Sequence, residues 1–133
     1  MSAFVTDTHP LVWYATNKYS SLSPKVLRAF QQADAGEAVI YVPPVVLWEV
    51  AILDRLGRIR LQDGFAHWSA SLLNHAGFTE AVFDAALIRQ AIAYNFNDDI
   101  FDAAIVATAV TLEFPLITKD VAISAANLAE IYW

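Results

Sequence analysis

Two rhythms of hydrophobic and polar residues alternate along the chain. Short apolar runs of strand type are separated by longer segments with helical spacing, a pattern that predicts a parallel sheet covered by helices. Ala3 to Thr6 reads as a first strand, followed by a turn at Asp7, Thr8, His9 and Pro10 and a helix over Leu11 to Thr16. Ser23-Pro24 is a helix start, with serine as cap and proline in the first turn, and that helix stops at Gly36. Ala38 to Val42 is a strand closed by Pro43-Pro44. Val45 to Leu56 is a helix stopped by Gly57, and Phe65 to Ala76 is another, closed by Gly77. Thr79 to Phe83 is a short strand, and Asp84 caps a helix to about Tyr94. Asn97, Asp98 and Asp99 open a helix that ends near Leu112. Pro115 to Thr118 is a strand, a short helix follows Asp120, and Leu128 to Tyr132 is the last strand.

With 133 residues and no repeat or flexible linker, the whole chain, 1–133, is expected to form one α/β domain. Hydrophobic residues make up 57%, high for so small a monomer. Part of that surplus is therefore expected to be buried against a second copy or a partner. The apolar stretch from Val39 to Leu53 is broken by Pro43, Pro44 and Glu49, and Ala103 to Val110 is far shorter than the roughly 20 residues a membrane span needs. No membrane segment and no secretory signal is expected. The absence of cysteine excludes disulfides, thiolate zinc sites and a cysteine nucleophile, and it agrees with a cytoplasmic protein. The net charge of −6 argues against a broad nucleic-acid binder unless bound cations neutralise some of the acids.

Several of those acids stand where a carboxylate is costly. Glu49 lies on a helix that is apolar nearly all round, with Val45, Val46, Ile52 and Leu53 as helical neighbours, so a base such as Arg55 or Arg58, or a cation, must compensate it. Asp7 follows the first strand directly, the position where sites gather in parallel sheets, although Asp-Thr-His-Pro is also good helix-start chemistry. Asp98, Asp99 and Asp102 crowd a helix start. Asp99 with Asp102 has capping-box spacing, but Asp102 leads into Ala103-Ala104-Ile105-Val106-Ala107 and needs compensation as Glu49 does. Asp120 follows the strand at Leu116-Ile117, either as a helix cap or as part of a site, and Thr118 beside it can donate to a carboxylate or phosphate or cap the short helix. If the sheet is parallel, Asp7, Glu49, Asp102 and Asp120 meet at one rim. Clustered carboxylates raise one another's pKa unless a cation sits among them, and an all-oxygen set suits Mg²⁺ or Mn²⁺.

At these residues the chain resembles the PIN-domain family, in particular its VapC-type toxins. Val5-Thr6-Asp7-Thr8-His9 resembles the family's first strand and aspartate, and Ser21-Leu22-Ser23-Pro24 a turn of one VapC branch. Leu47-Trp48-Glu49-Val50-Ala51-Ile52, running into Arg55-Leu56-Gly57-Arg58-Ile59, resembles that branch's glutamate helix and is the most specific match. Asp99-Ile100-Phe101-Asp102 resembles its Asp-Pro-Phe-Asp motif, and Leu116-Ile117-Thr118-Lys119-Asp120 its last acidic strand. Ile100 stands where proline is usual, and Ala103 where a basic residue is frequent, which weakens phosphate binding but removes no metal ligand. The resemblance implies a three-layer α/β/α sandwich around a mostly parallel sheet. Metal would be held by Asp7, Glu49, Asp102 and Asp120, with Asp99 as a further ligand or water contact. The implied activity is Mg²⁺- or Mn²⁺-dependent endonucleolytic cleavage of RNA, with an antitoxin and a second copy as partners.

In that reading Thr118 orients the scissile phosphate, while Lys119, Arg55, Arg58 and Arg60 are candidates for backbone contacts or simply a solvated basic edge. His9 reads as a turn residue rather than a general base. Trp13, Trp48, Trp68 and Trp133 read as core or interface residues, Tyr132 and Trp133 as a possible dimer contact, and Val50 to Phe65 as a seat for the antitoxin. Three competing classes remain. An aspartyl-phosphate hydrolase resembles a pattern with a second aspartate where this chain has His9. A receiver-type module resembles adjacent acids after the first strand, where this chain has only Asp7. The third class is a non-catalytic PIN-like domain that only binds a partner.

Overall fold

β-Branched and aromatic residues build five strands, and each is followed or preceded by helices that the chain caps with its own side chains. The computed structural model describes all residues from Met1 to Trp133. The order is β1 (Ser2–Thr6), α1 (Thr8–Ala15), a 3-10 turn (Tyr19–Ser21), α2 (Pro24–Asp34), β2 (Ala38–Val42), α3 (Pro44–Arg55), α4 (Gly64–Leu73), β3 (Phe78–Glu80), α5 (Ala85–Ile92), α6 (Ile100–Leu112), β4 (Leu116–Ile117), α7 (Val121–Ala126) and β5 (Ile131–Tyr132). All strand pairings are parallel, in the order β3-β2-β1-β4-β5. This is the expected α/β/α sandwich with a parallel sheet. Its strand order departs from the 2-1-3-4-5 order of flavodoxin-like receivers, which removes the receiver reading.

Burial follows the topology. Phe4, Val5 and Thr6 are all buried in succession, as a strand covered by helices on both faces requires. Helix α6 is buried from Ala104 through Ala109, wedged against β1, α3 and α5. The main core joins β1, β2, β4 and the inner faces of α1, α2, α3 and α6 through residues such as Val5, Leu11, Phe30, Ile40, Val46, Ile105 and Ile117.

The chain builds outward from β1 to β2 and β3, then crosses back to place β4 on the other side of β1. Parallel α/β sheets open a crevice at such a reversal, outside the carboxyl ends of the two strands. Here β1 and β4 pair through Val5 with Leu116 and Thr6 with Ile117, and the Asp7 amide donates to the Ile117 carbonyl at 2.9 Å. The next residues, Asp7 and Thr118, therefore face each other across the crevice mouth.

Candidate active site

Asp7 is a charged side chain buried to 8% exposure, and its position is fixed from both sides. Its Oδ1 accepts from the Thr8 amide at 2.7 Å, so it caps α1, and its Oδ2 accepts from the Thr118 hydroxyl at 2.7 Å. Thr118 Oγ1 accepts in turn from the Asp120 amide at 3.0 Å, and Asp120 Oδ1 caps α7 through the Ile123 amide at 2.9 Å. One threonine hydroxyl thus couples the ends of β1 and β4. Asp7 and Asp120 each cap a helix, and each lies at the crevice.

Glu49 enters from α3. Its Oε1 accepts from the Thr8 hydroxyl at 2.6 Å, which ties the first turn of α1 to the second turn of α3. Asp102 enters from the first turn of α6, where its Oδ2 accepts from the Asn97 side-chain amide at 3.0 Å. Asp99 caps α6, with Oδ1 accepting from the amides of Phe101 at 2.9 Å and Asp102 at 3.3 Å. The capping-box spacing is thus only half used. Asp102 does not reach back to the Asp99 amide, which instead donates to Asn97 Oδ1 at 3.1 Å, and Asp102 is left facing the site.

The electrostatics bind these groups into one cluster. Burial pushes the Asp102 carboxyl up to about 7; the Asn97 amide opposes the shift, and the negative charges of Asp99, Asp7 and Asp120 add to it. Asp7 is raised by burial and by Asp120, against the Thr118 and Thr8 hydrogen bonds and the nearby His9. Glu49 is raised by burial, with Asp7 and Asp99 adding, while the Thr8 hydroxyl and His9 oppose. No arginine compensates any of them. The ion pairs within 4.0 Å are His67–Asp63 at 3.9 Å and His75–Asp34 at 4.0 Å, so the expected Glu49 pairing with Arg55 or Arg58 is absent.

Five acids from four parts of the chain therefore gather with no ion pair to any of them, His9 alone opposing the charge on Asp7 and Glu49. An all-oxygen, mutually repelling set is the donor chemistry of a hard divalent cation. The side chains do not stand as a closed chelate: no three of them are close enough to hold one ion between them, and Glu49 and Asp7 each accept from a threonine hydroxyl. Around the mouth, a recess of about 170 Å³ joins Asp7 and Asp120 to His9, Trp13 and Lys119. The Lys119 ammonium lies 5.1 Å from the Trp13 ring centre and 5.7 Å from that of Trp133. Trp13 and Trp133 approach edge-on at 6.3 Å, and Tyr132 packs on Phe4 at 4.6 Å, so the chain end is seated within its own fold. Trp48, read as core or interface, is 62% exposed beside Glu49. Thr8 and Asn97 are the partners that the residue pattern did not reveal.

An all-parallel 3-2-1-4-5 sheet carrying a cluster of uncompensated acids at its switch point defines an α/β domain with an acidic crevice site. The chain belongs to the PIN domain family, whose model matches residues 4–132. PIN domains are generally nucleases and typically use divalent metals. Three solved structures are similar in fold. VapBC2 from Rickettsia felis bound to a DNA fragment from their promoter matches with a TM-score of 0.66 at 14% identity, covering 98% of this chain and 97% of that one. FitAcB from Neisseria gonorrhoeae matches with a TM-score of 0.58 at 15% identity over 97% of this chain and 96% of that one. PAE2754 from Pyrobaculum aerophilum matches with a TM-score of 0.58 at 15% identity over 98% and 90%. No curated protein matches the sequence significantly.

Proposed function

We propose that this chain is a Mg²⁺- or Mn²⁺-dependent endoribonuclease, the toxin of a VapBC-type toxin–antitoxin pair. The observation that carries the reading is the cluster itself: burial and the neighbouring acids, Asp99 and Asp120 among them, raise the proton affinity of Asp7, Glu49 and Asp102, and no lysine or arginine pairs with any of these acids. Those residues would hold the metal, which supplies charge neutralisation at a phosphoryl oxygen and a more acidic water. Asp7 is held in place by Thr8 and Thr118, so its position is set before substrate arrives. One of the carboxylates would act as the base that takes a proton from the attacking water, and Asp102, whose carboxyl burial pushes up, is the candidate for that role. Water then displaces one oxygen of the phosphodiester in line, and the leaving oxygen takes up a proton. Lys119 lines the mouth where the scissile phosphate would enter, whereas Thr118, expected to orient that phosphate, is fully buried and spends its hydroxyl on Asp7 and the Asp120 amide.

The partners follow from the surface. Ile52 on α3 and Leu56 just after it are exposed within the Val50 to Phe65 stretch expected to seat an antitoxin. A recess of about 520 Å³ between α3, α5 and α6 is lined by Trp48, Phe83, Ile88, Ile92 and Ile100, with Asn97 on its rim, a face suited to a second copy. No helix is long and apolar enough to cross a membrane, and the toxin reading places the chain in the cytoplasm. A non-catalytic PIN-like domain is the second reading, favoured by the lack of three acids in chelating reach.

The test is cleavage of a mixed RNA pool with Mg²⁺ or Mn²⁺ against a chelator control. Cleavage is expected only with metal, and Asp7→Asn and Asp102→Asn should each reduce it by a factor of 100 or more, on the order of one lost electrostatic or acid–base contribution. Full activity in both variants rejects the site, and the absence of both cleavage and Mn²⁺ binding supports the non-catalytic reading.

A further inference from the structure

An acidic nuclease must still hold an acidic substrate, and the basic residues are not spread evenly. Three of the chain's eight lysines and arginines, Lys18, Arg58 and Arg60, line one open recess of about 720 Å³ together with Asp54 and Ile59. None of the three cations lies within 4.0 Å of a carboxylate, so their charge is unspent even with Asp54 present.

Two matching helix ends create the recess. At the end of α1 the chain turns through Asn17 at φ 60°. The Asn17 amide donates to the Tyr14 carbonyl at 3.2 Å, and the Lys18 amide to that of Trp13 at 2.7 Å. At the end of α3 it turns through Gly57 at φ 72°, with Gly57 donating to Asp54 at 3.1 Å and Arg58 to Leu53 at 3.0 Å. These are two complete Schellman motifs on neighbouring helices, each with a base at the residue after the left-handed one. The feature is not generic here, because α2 ends the same way through Gly36 and carries Glu37 at that position.

The same two helices carry the acids nearer their N-termini, where Asp7 caps α1 and Thr8 in the first turn of α1 bonds Glu49 in the second turn of α3. Helix α1 is eight residues long, so at 1.5 Å per residue the recess lies about 12 Å from that contact. A stacked nucleic-acid strand rising 3.4 Å per nucleotide crosses this distance in about three to four nucleotides. Guanidinium groups suit phosphate oxygens, and with a single apolar lining residue the recess lacks the anchor an acidic peptide would require.

We propose that the Lys18–Arg58–Arg60 recess is a second contact for the phosphate backbone of single-stranded RNA, three to four nucleotides from the acidic crevice. This rests on the ribonuclease reading, and it assigns the strand's path along the α1–α3 pair.

The test measures binding and chemistry separately. Binding of a fluorescent 12-nucleotide RNA is followed by anisotropy in chelator across a salt series, and Mn²⁺-dependent hydrolysis of bis(p-nitrophenyl) phosphate reports on the crevice alone. Lys18→Gln should lower the slope of log affinity against log salt by about 0.7, and the Lys18→Gln/Arg60→Gln pair by about 1.4, with affinity falling at least ten-fold at moderate salt. Lys18→Arg should restore binding, and Lys18→Gln should hydrolyse the small diester within two-fold of the parent. Unchanged RNA affinity and slope in the paired variant, with the parent cleaving RNA, overturns the proposal alone. Competition by a polyglutamate peptide as effective as RNA of equal charge overturns it in favour of an acidic protein partner. A parent that cleaves neither substrate but loses RNA affinity in the variants overturns the nuclease reading and leaves the recess assignment standing.

Discussion

Thr118 carries more of the site than its size suggests. Its hydroxyl donates to Asp7 and accepts from the Asp120 amide, so one buried oxygen ties the Asp7 carboxylate to the Asp120 backbone where the paired strands β1 and β4 end. Thr118→Val keeps the shape and removes both bonds. The loss of partners for a buried carboxylate and a backbone amide is expected to cost about 2 kcal/mol near neutral pH. Because the hydroxyl holds the Asp7 pKa down, removing it raises that pKa further, and the penalty shrinks once Asp7 is protonated. Urea unfolding at pH 8 should therefore show a larger destabilisation than in acid, where Asp7 is protonated, with Thr118→Ser close to the parent. Equal penalties at both pH values would show that the hydroxyl acts on packing and not on the carboxylate. Of this arrangement, the lone acids on apolar helices, Glu49 and Asp102, were legible in the sequence, because nothing within helical reach compensates them. Thr8 and Asn97 were not. The Thr8–Glu49 bond spans 41 positions and exists only because α1 lies against α3, and Asn97 reads as a helix opener, whereas α6 begins at Ile100 and the turn before it brings the Asn97 amide to Asp102.

Among the elements, punctuation decided which boundaries were legible. β2 begins and ends as its sequence implies, since Gly36 and Pro43 bracket an alternating run. α1 starts at Thr8 rather than Leu11, because Asp7 supplies the cap and a proline in the first turn costs no helical hydrogen bond. β3 is Phe78–Glu80, earlier and shorter than Thr79 to Phe83. Past Glu80 the chain makes one further bond, from the Ala81 amide to the Val42 carbonyl, before leaving the sheet edge. The end strand β5 shrinks to Ile131–Tyr132, after Asn127 turns through φ 54° at the end of α7. Gly77 sets the entry to β3 through space and not through dihedral freedom: an added Cβ would lie 1.8 Å from the Ala33 carbonyl oxygen at the end of α2. Gly77→Ala must push α2 from β3 and is expected to cost about 3 kcal/mol or more. Gly36→Ala meets nothing within 4 Å and pays only for φ 75°, about 1 kcal/mol. Thermal melting of the two variants ranks the effects, and a Gly36→Ala loss as large as that of Gly77→Ala would show that the close approach relaxes without cost.

Across the whole molecule, a surplus of acids gathered at one rim makes stability depend on protons and cations together. The folded Asp102 pKa of about 7 exceeds the ordinary 3.8, so its contribution is complete below 3.8, drains away as pH rises, and is gone above about 7. Asp7 and Glu49 shift in the same direction. In chelator the parent therefore carries an unfavourable charge at pH 8 that Asp102→Asn lacks. Asp102 is partly exposed, so solvent screening reduces the nominal shift to roughly 1 kcal/mol, or about 3 °C in Tm for a domain of this size. Asp102→Asn is expected to melt above the parent by that margin at pH 8 in chelator and to match it near pH 4. Saturating Mn²⁺ should reverse the order at pH 8, because an ion that binds only the folded parent stabilises it by mass action while the variant has lost a ligand. The reversal separates a metal site from a merely strained acidic cluster. A strained cluster would leave Asp102→Asn the more stable protein with or without Mn²⁺, and a variant less stable than the parent in chelator would mean that Asp102 holds the fold through Asn97 rather than burdening it.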